Sequence, residues 1–466
     1  MTISQVASPA VAPPPPAPGA SAPPAPRVPV PPVRARRRRM PPPARLVVQA
    51  TAALVAVLAL CLAAVVGAVT VRSDAEQLRD TSAHRAAVAA ELRFALADLD
   101  AQRANQLVPG HAADDPEVSV GNRLLALITA QQRRAQASDL LRRLGGDEAH
   151  AAQVRGILDL LGRYDDAGGR AAYVDEQHHE RAAGHPPAVA VAFSAEAGDI
   201  MHSHLLPKVA TLANAYDAQA TAASRTAQDA AMGSAVAVGA LGLIAVAVLL
   251  WWQRDLTRRY RRLINPALAA ATAAALGVTL AGVFAFTGAA ADLDAGTRDG
   301  LRPWSRLAEA RAVAAEAAAT QSRWLVNGAE PQQRAELDSL NRRLDGLLAP
   351  GGWASADERP AYADVNERYG HFRADDRRLV GLMAGKRIDE AAVVLTDVGR
   401  GEVGFDFWDF ATTLDALAQH QQADFVARTD AAHAGLDGWP AVPAGVLGIA
   451  AVLVVVGVRP RLAEYR

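Results

Sequence analysis

Cysteine is almost missing from this chain of 466 residues: Cys61 is the single one. A disulfide framework and a cysteine-ligated zinc site are therefore excluded, because both need partners the chain does not have. Leu60, directly before Cys61, is not the small residue that a lipidation site places there, so Cys61 reads as a packing residue. Lysine is nearly missing too, with only Lys208 and Lys386, and basic and acidic residues almost cancel to a formal net charge of −1. Such a chain has no bulk positive field with which to hold nucleic acid. Walker loops, kinase signatures, Rossmann glycine fingerprints and HExxH are all absent. Carboxylates are abundant, but none pair as an acid–base couple. The expectation is a protein that is not an enzyme, with no catalytic, metal or cofactor site.

Apolar residues are plentiful, and they gather in four charge-free windows, 46–71, 230–253, 263–291 and 438–458. A bilayer core needs about 20 apolar residues as a helix, and backbone groups in lipid must be satisfied inside the segment. Transmembrane helices are expected at 46–71, 230–252, 266–289 and 438–458. The first is longer than a signal-peptide core and follows a long leader, so a retained anchor is expected. Arginines set the orientation. They crowd before the first span (Arg34, Arg36, Arg37, Arg38, Arg39), between the second and third (Arg254, Arg258, Arg259, Arg261, Arg262) and after the fourth (Arg459, Arg461, Arg466). This places a Pro/Arg-rich leader (1–45), a basic loop (253–265) and a tail (459–466) in the cytoplasm, and regions 72–229 and 290–437 outside. Trp251 and Trp252 fall where an aromatic belt would lie. Gly233, Gly239, Gly242, Gly445 and Gly448 would permit close helix contact, although an Ala- and Gly-rich composition would produce the same glycines.

The layout of span, outer region, span occurs twice, which reads as an internal repeat. Leu107-Val108-Pro109-Gly110 echoes Leu325-Val326-Asn327-Gly328; Arg163-Tyr164 echoes Arg368-Tyr369; Ala183-Gly184 echoes Ala384-Gly385. Stripes at helical spacing run through both outer regions, such as Val154, Ile157, Leu161 and Tyr164, or Leu337, Leu340, Leu344 and Leu347. Pro109-Gly110, Gly145-Gly146, Pro186-Pro187, Gly328, Pro350-Gly351-Gly352 and Gly385 punctuate them. Each region reads as four helices, the first leaving a span directly and the last running into the next. The predicted fold is an all-α membrane protein: four transmembrane helices carrying two tandem extracytoplasmic antiparallel helical bundles. Pro207 should kink the last helix of the first bundle. The leader, with Pro13 to Pro16 and Pro41 to Pro43, favours extended polyproline conformations and is expected to be disordered.

Each half resembles the four-helix-bundle sensor module of bacterial chemoreceptors and sensor kinases. The run Met383-Ala384-Gly385-Lys386-Arg387-Ile388-Asp389-Glu390-Ala391 is similar to the turn such modules place between their third and fourth helices. Two tandem modules with little cytoplasmic chain resemble the four-span membrane protein of the actinobacterial glutamate/aspartate-sensing system. The resemblance runs from about residue 45 to the end and rests on layout. It implies amino-acid sensing with two partners, an extracytoplasmic solute-binding lipoprotein and a soluble cytoplasmic Ser/Thr kinase.

Arg254, Arg258, Arg259, Tyr260, Arg261 and Arg262 are then the expected contact surface for the cytoplasmic partner. Outside, Phe405, Phe407, Trp408 and Phe410 form the densest aromatic run, with Asp406 and Asp409 interleaved, and Trp324 and Trp353 are weaker companions. Phe405 and Trp408 share one helical face, Phe407 and Phe410 another. One pair can be core, and burying both would need contacts on two sides; the run is read either as core packing alone or as a partner or ligand surface. His178, His179, His185, His202 and His204 lack metal-ligand spacing. The leading expectation is a membrane signal coupler; the alternative is a non-signalling envelope scaffold with adhesive helical ectodomains. A transporter would favour intramembrane charges, and these windows have none.

Overall fold

The computed structural model describes residues 42–110, 116–178, 180–260, 265–349 and 356–463, and every regular element among them is helical. Helix α1 (Pro42–Gln77) passes through a π-helical turn, Leu78–Ala83, into α2 (His84–Asn105). Helices α3 (Pro116–Leu144) and α4 (Ala151–Glu176) follow. Then α5 (Ala188–Asp199) passes through a second π turn, Ile200–Leu205, into α6 (Leu206–Tyr260). The second half runs in the same order: α7 (Pro266–Ala295), a π turn at Gly296–Leu301, α8 (Arg302–Val326), α9 (Pro331–Leu348) and α10 (Arg359–Ala384). It closes with α11 (Ile388–Thr396), α12 (Val403–Ala434) and α13 (Ala441–Ala463).

Local chemistry sets these boundaries. Asn265 caps α7, its side chain accepting from the Ala267 amide at 3.2 Å, and Pro266 fills the first turn where no N–H is needed. After α8, Gly328 takes a left-handed φ of 75°, and the Ala329 amide returns to the Trp324 carbonyl. Pro207 lies in the first turn of α6, directly after the second π turn. One expectation is corrected. The Met383–Ala391 stretch turns at Lys386 (φ 57°) into the short helix α11, so the second outer region has a fifth helix.

Three continuous helices, Ala44–Asn105, Ala188–Arg258 and Pro266–Val326, each hold a stretch long and apolar enough to cross a membrane, which points to a membrane protein. The first runs for 62 residues, about 90 Å at 1.5 Å per residue. A fourth apolar stretch, Ala441–Gly457 within α13, is shorter. α6 packs against α1 and α7, and α13 closes the ring against the same two helices. The inner faces are small and apolar: Ala53, Val57, Leu60, Ala64 and Ala68 are buried on α1, and Ala235, Val238, Ala245 and Leu249 on α6. The outer faces expose Leu58, Leu62, Leu243, Ile244, Phe284 and Ile449, a pattern that suits hydrocarbon rather than water. Trp251 points outward and Trp252 is buried.

Of the span glycines, Gly242 faces the Thr279 side chain with no space for a Cβ, whereas Gly233, Gly445 and Gly448 face open space. Gly242→Val should wedge α6 from α7 and lower stability by about 1–3 kcal/mol, read as a reduced midpoint in detergent unfolding. Gly445→Val should leave that midpoint unchanged.

Candidate functional site

Beyond the ring, the chain builds two helical regions that touch along α2 and α8, with α3 and α6 also against α2, and α9 and α12 also against α8. The contact between α2 and α8 is rich in charge. Arg93 reaches Glu316 at 3.4 Å, and both are buried. Arg311 reaches back to Glu91 at 3.2 Å and to Asp415 of α12 at 3.0 Å.

At one flank of this pair lies a buried polar knot. Asp100, 1% exposed, is ion-paired with Arg323 of the other half. It also accepts from the Tyr164 hydroxyl at 3.1 Å and contacts His202 Nε2 at 2.9 Å, and that nitrogen lies 2.8 Å from Arg323. Gly198 makes room, since a Cβ there would come within 2.9 Å of the Arg323 guanidinium. Burial alone would raise the Asp100 pKa; the Arg323 charge, then His202, outweigh it and bring it down to about 2.

At the other flank lies a cleft of about 710 Å³, walled by α2 and α3 on one side and by α8 and α12 on the other. Phe405, Phe407 and Trp408 line it, together with Phe94 and Phe372. Phe407 and Phe410 turn inward: Phe410 is fully buried, 5.2 Å from the Tyr369 ring, and Phe407 sits 5.4 Å from Phe372. Phe405 and Trp408, 5.9 Å apart, turn outward, and Trp408 is 59% exposed. Trp324 is buried, with the Arg334 guanidinium over its ring at 5.6 Å, and forms no surface. Trp353 lies outside the described residues.

The interleaved acids have separate partners. Asp409 is paired with Arg368 at 2.7 Å. Asp375 is held up to about 7, first by burial and then by its hydrogen bond and repulsion with Asp406. At the opposite end of the molecule, Arg254 and Arg258 are exposed near the end of α6. Arg259 and Tyr260 close that helix, and Arg261 and Arg262 lie outside the described residues. His202 joins the knot, His178 bonds the Val174 carbonyl at 2.8 Å, and His185 lies 3.4 Å from Asp389; His204 is exposed and His179 is outside the described residues. Among the described residues no group of His, Cys, Asp or Glu is arranged to hold a metal ion.

The Asp100–Arg323–His202 knot was not singled out from the sequence. One signal was present: Asp100 follows the stripe Leu92, Leu96 and Leu99, all buried. Its partner lies 223 residues away, beyond the reach of any local pattern.

Residues 74–225 match the family model of the actinobacterial sensor domain. The match begins just past the first apolar window and ends just before the second, so it covers the first outer region. It supports an actinobacterial sensor protein, and a sensor domain is consistent with signalling. No curated protein and no solved structure matches the chain.

Replacing Asp100 by Leu strands the Arg323 charge and should cost about 3–5 kcal/mol in unfolding free energy. Asp100→Leu with Arg323→Met should recover part of that loss in a double-mutant cycle. Because the folded pKa is depressed, the stabilisation is complete above the ordinary carboxylate pKa and fades as pH falls toward about 2.

Asp375 behaves oppositely. Its pKa is raised, so its contribution is complete below about pH 4 and is lost as pH climbs through about 7. Asp375→Asn should flatten the decline in melting temperature between those limits. An unchanged profile would show that Asp375 does not hold the proton.

Proposed function

We propose that the chain is a four-span membrane signal coupler, relaying the state of an extracytoplasmic amino-acid-binding protein to a cytoplasmic Ser/Thr kinase. The observation that carries this reading is mechanical: the apolar stretches of α1, α6 and α7 are parts of helices that continue unbroken into the outer regions. A shift of an ångström or two at the far end of such a helix is transmitted along it. The fourth span is α13, which completes the ring and exposes Val442, Ile449, Val452 and Val455 on its outer face. The arginine asymmetry puts both termini and the α6–α7 loop in the cytoplasm, and leaves the two helical regions outside as tandem sensor modules.

The duplication is supported by register. The π turn at Leu78–Ala83 stands as far ahead of Leu107-Val108-Pro109-Gly110 as the π turn at Gly296–Leu301 stands ahead of Leu325-Val326-Asn327-Gly328. The binding-protein and kinase partners come from the resemblance to the four-span family, and the match over 74–225 agrees with a sensing role. Arg254 and Arg258 offer exposed charge to a cytoplasmic partner.

Crosslinking and affinity capture of the tagged chain from its own membranes should recover a solute-binding lipoprotein and a Ser/Thr kinase. The pair Arg254→Glu and Arg258→Glu, in protein whose topology is verified by labelling, should lose the kinase and keep the lipoprotein. Recovery of neither partner would favour the envelope scaffold.

A further inference from the structure

One ring nitrogen in the knot has two neighbours that ask opposite things of it. His202 Nε2 lies 2.9 Å from Asp100 Oδ2 and 2.8 Å from the Arg323 guanidinium. A ring nitrogen is either a donor or an acceptor. With its lone pair free, Nε2 accepts from Arg323 and meets the Asp100 carboxylate as a second acceptor. With a proton, it donates to Asp100 and turns an N–H toward the guanidinium. It serves one neighbour at a time, and the proton decides which.

The two neighbours belong to different halves of the chain. Asp100 is on α2, in the same half as His202, whereas Arg323 is on α8. A neutral imidazole leaves Arg323 as the cation that balances Asp100. An imidazolium supplies that positive charge from within the first half. Two cations and one anion then crowd a site where Asp100 is 1% and Arg323 8% exposed. An uncompensated buried cation is costly. The excess disappears if Arg323 leaves, and the exposed Glu336 of α9 is a further acid that already acts on its charge. The His202 side chain is 21% exposed, so solvent protons reach it.

The other groups around the site are accounted for. Burial pushes the Tyr164 phenol well above its ordinary range, and its hydroxyl donates to Asp100. Asp100 is held down to about 2 by the charges beside it, despite its burial. Imidazoles titrate between about pH 5 and 8, and neither of these two groups changes charge there. Arg103 pairs with Asp165 at 2.8 Å. On the helix that carries His202, Asp199 accepts from Ser203 at 2.7 Å, and His204 is exposed.

We propose that His202 is a proton-operated release for the ion pair between the halves: once protonated it takes over Asp100, and Arg323 withdraws. The released form binds one proton more than the joined form, so acid favours release. Arg93 with Glu316 and Arg311 with Glu91 stay in place, so the movement is confined to the stretch of α8 around the knot. His202 lies in the π turn that leads into α6, on one of the three continuous helices. The release does not depend on which partners the chain binds.

The test uses the full chain in lipid nanodiscs, with Cys61→Ser and spin labels at Tyr173→Cys on α4 and Gln332→Cys on α9, both exposed positions. These labels bracket the knot: Gly168 and Ala171 of α4 border the small space beside it, and Arg334 of α9 lies over Trp324, next to Arg323. Pulsed-resonance distances at about pH 8 and about pH 5.5 span the imidazole window. A second distance should gain on the first as pH falls, by at most about tenfold per pH unit, the limit for one differentially bound proton. His202→Gln should hold the first distance at both pH values. His202→Arg, a permanent cation, should give the second distance already at the higher pH. The reading is the difference between wild type and His202→Gln, which cancels any effect of Asp375, held up to about 7. No such difference would overturn the inference. So would a shift that comes with lost helicity, or His202→Arg holding the first distance. Should His202→Arg itself lower helicity, His202→Gln alone decides.

Discussion

A carboxylate taken out of water must be met by a cation or give up its charge. Asp100 is met by Arg323, a residue from the other half of the chain. The neighbours serve that meeting: Gly198 leaves space for the guanidinium, His202 contacts both groups, and Tyr164 donates to the same carboxylate oxygen, Oδ1, that Arg323 bonds. Buried pairs of this kind contribute little net stability compared with a well-packed apolar contact. What this one supplies is registry. It fixes how far along α2 the helix α8 can sit, because a displacement of one turn would strand both charges.

The same logic recurs where the outer regions meet the apolar ring. Arg72 reaches Asp437 at 3.2 Å and His433 at 2.9 Å, and Arg79 pairs with Asp430. These contacts tie the exit of α1 to the descending end of α12, across the two halves. The outer regions are thus joined twice, once deep within the α2–α8 contact and once at the base. A displacement applied far from the ring cannot be absorbed by one half sliding freely past the other. It must be taken up by rotation or by the helices themselves, and each of the continuous helices contains a π turn, where the winding is loosest.

The apolar windows and the helical class were legible because their cause is local. Charge-free runs of lipid-spanning length, and stripes such as Val154, Ile157, Leu161 and Tyr164, need no knowledge of the rest of the chain, and those four residues are indeed buried. The aromatic run was legible in part. Spacing alone separated Phe405 and Trp408 from Phe407 and Phe410; in the structure Phe410 is buried and Trp408 exposed, while Phe405 and Phe407 are half-buried and line the same cleft. Trp324 shows the limit: one tryptophan says nothing about which way its helix faces, and it is core. The π turns were invisible because no composition marks them, and α11 was hidden because its nine residues are too few to show a period. The knot and the cleft were hidden for one reason, since both are made where α2 meets α8 and no pattern within either helix specifies that contact.

The two flanks of that contact differ in what fills them. Arg93 with Glu316 and Arg311 with Glu91 still run both ways across it, so the backbone pairing is retained. Yet only one flank carries the Asp–Arg knot. A symmetric pair of knots would have filled both flanks and left no cavity. On the second flank Ala318 and Asn105 stand at the corresponding positions, beside the ion pairs Arg133–Asp98 and Arg311–Asp415. The cleft on that flank is bounded by aromatic rings from α12.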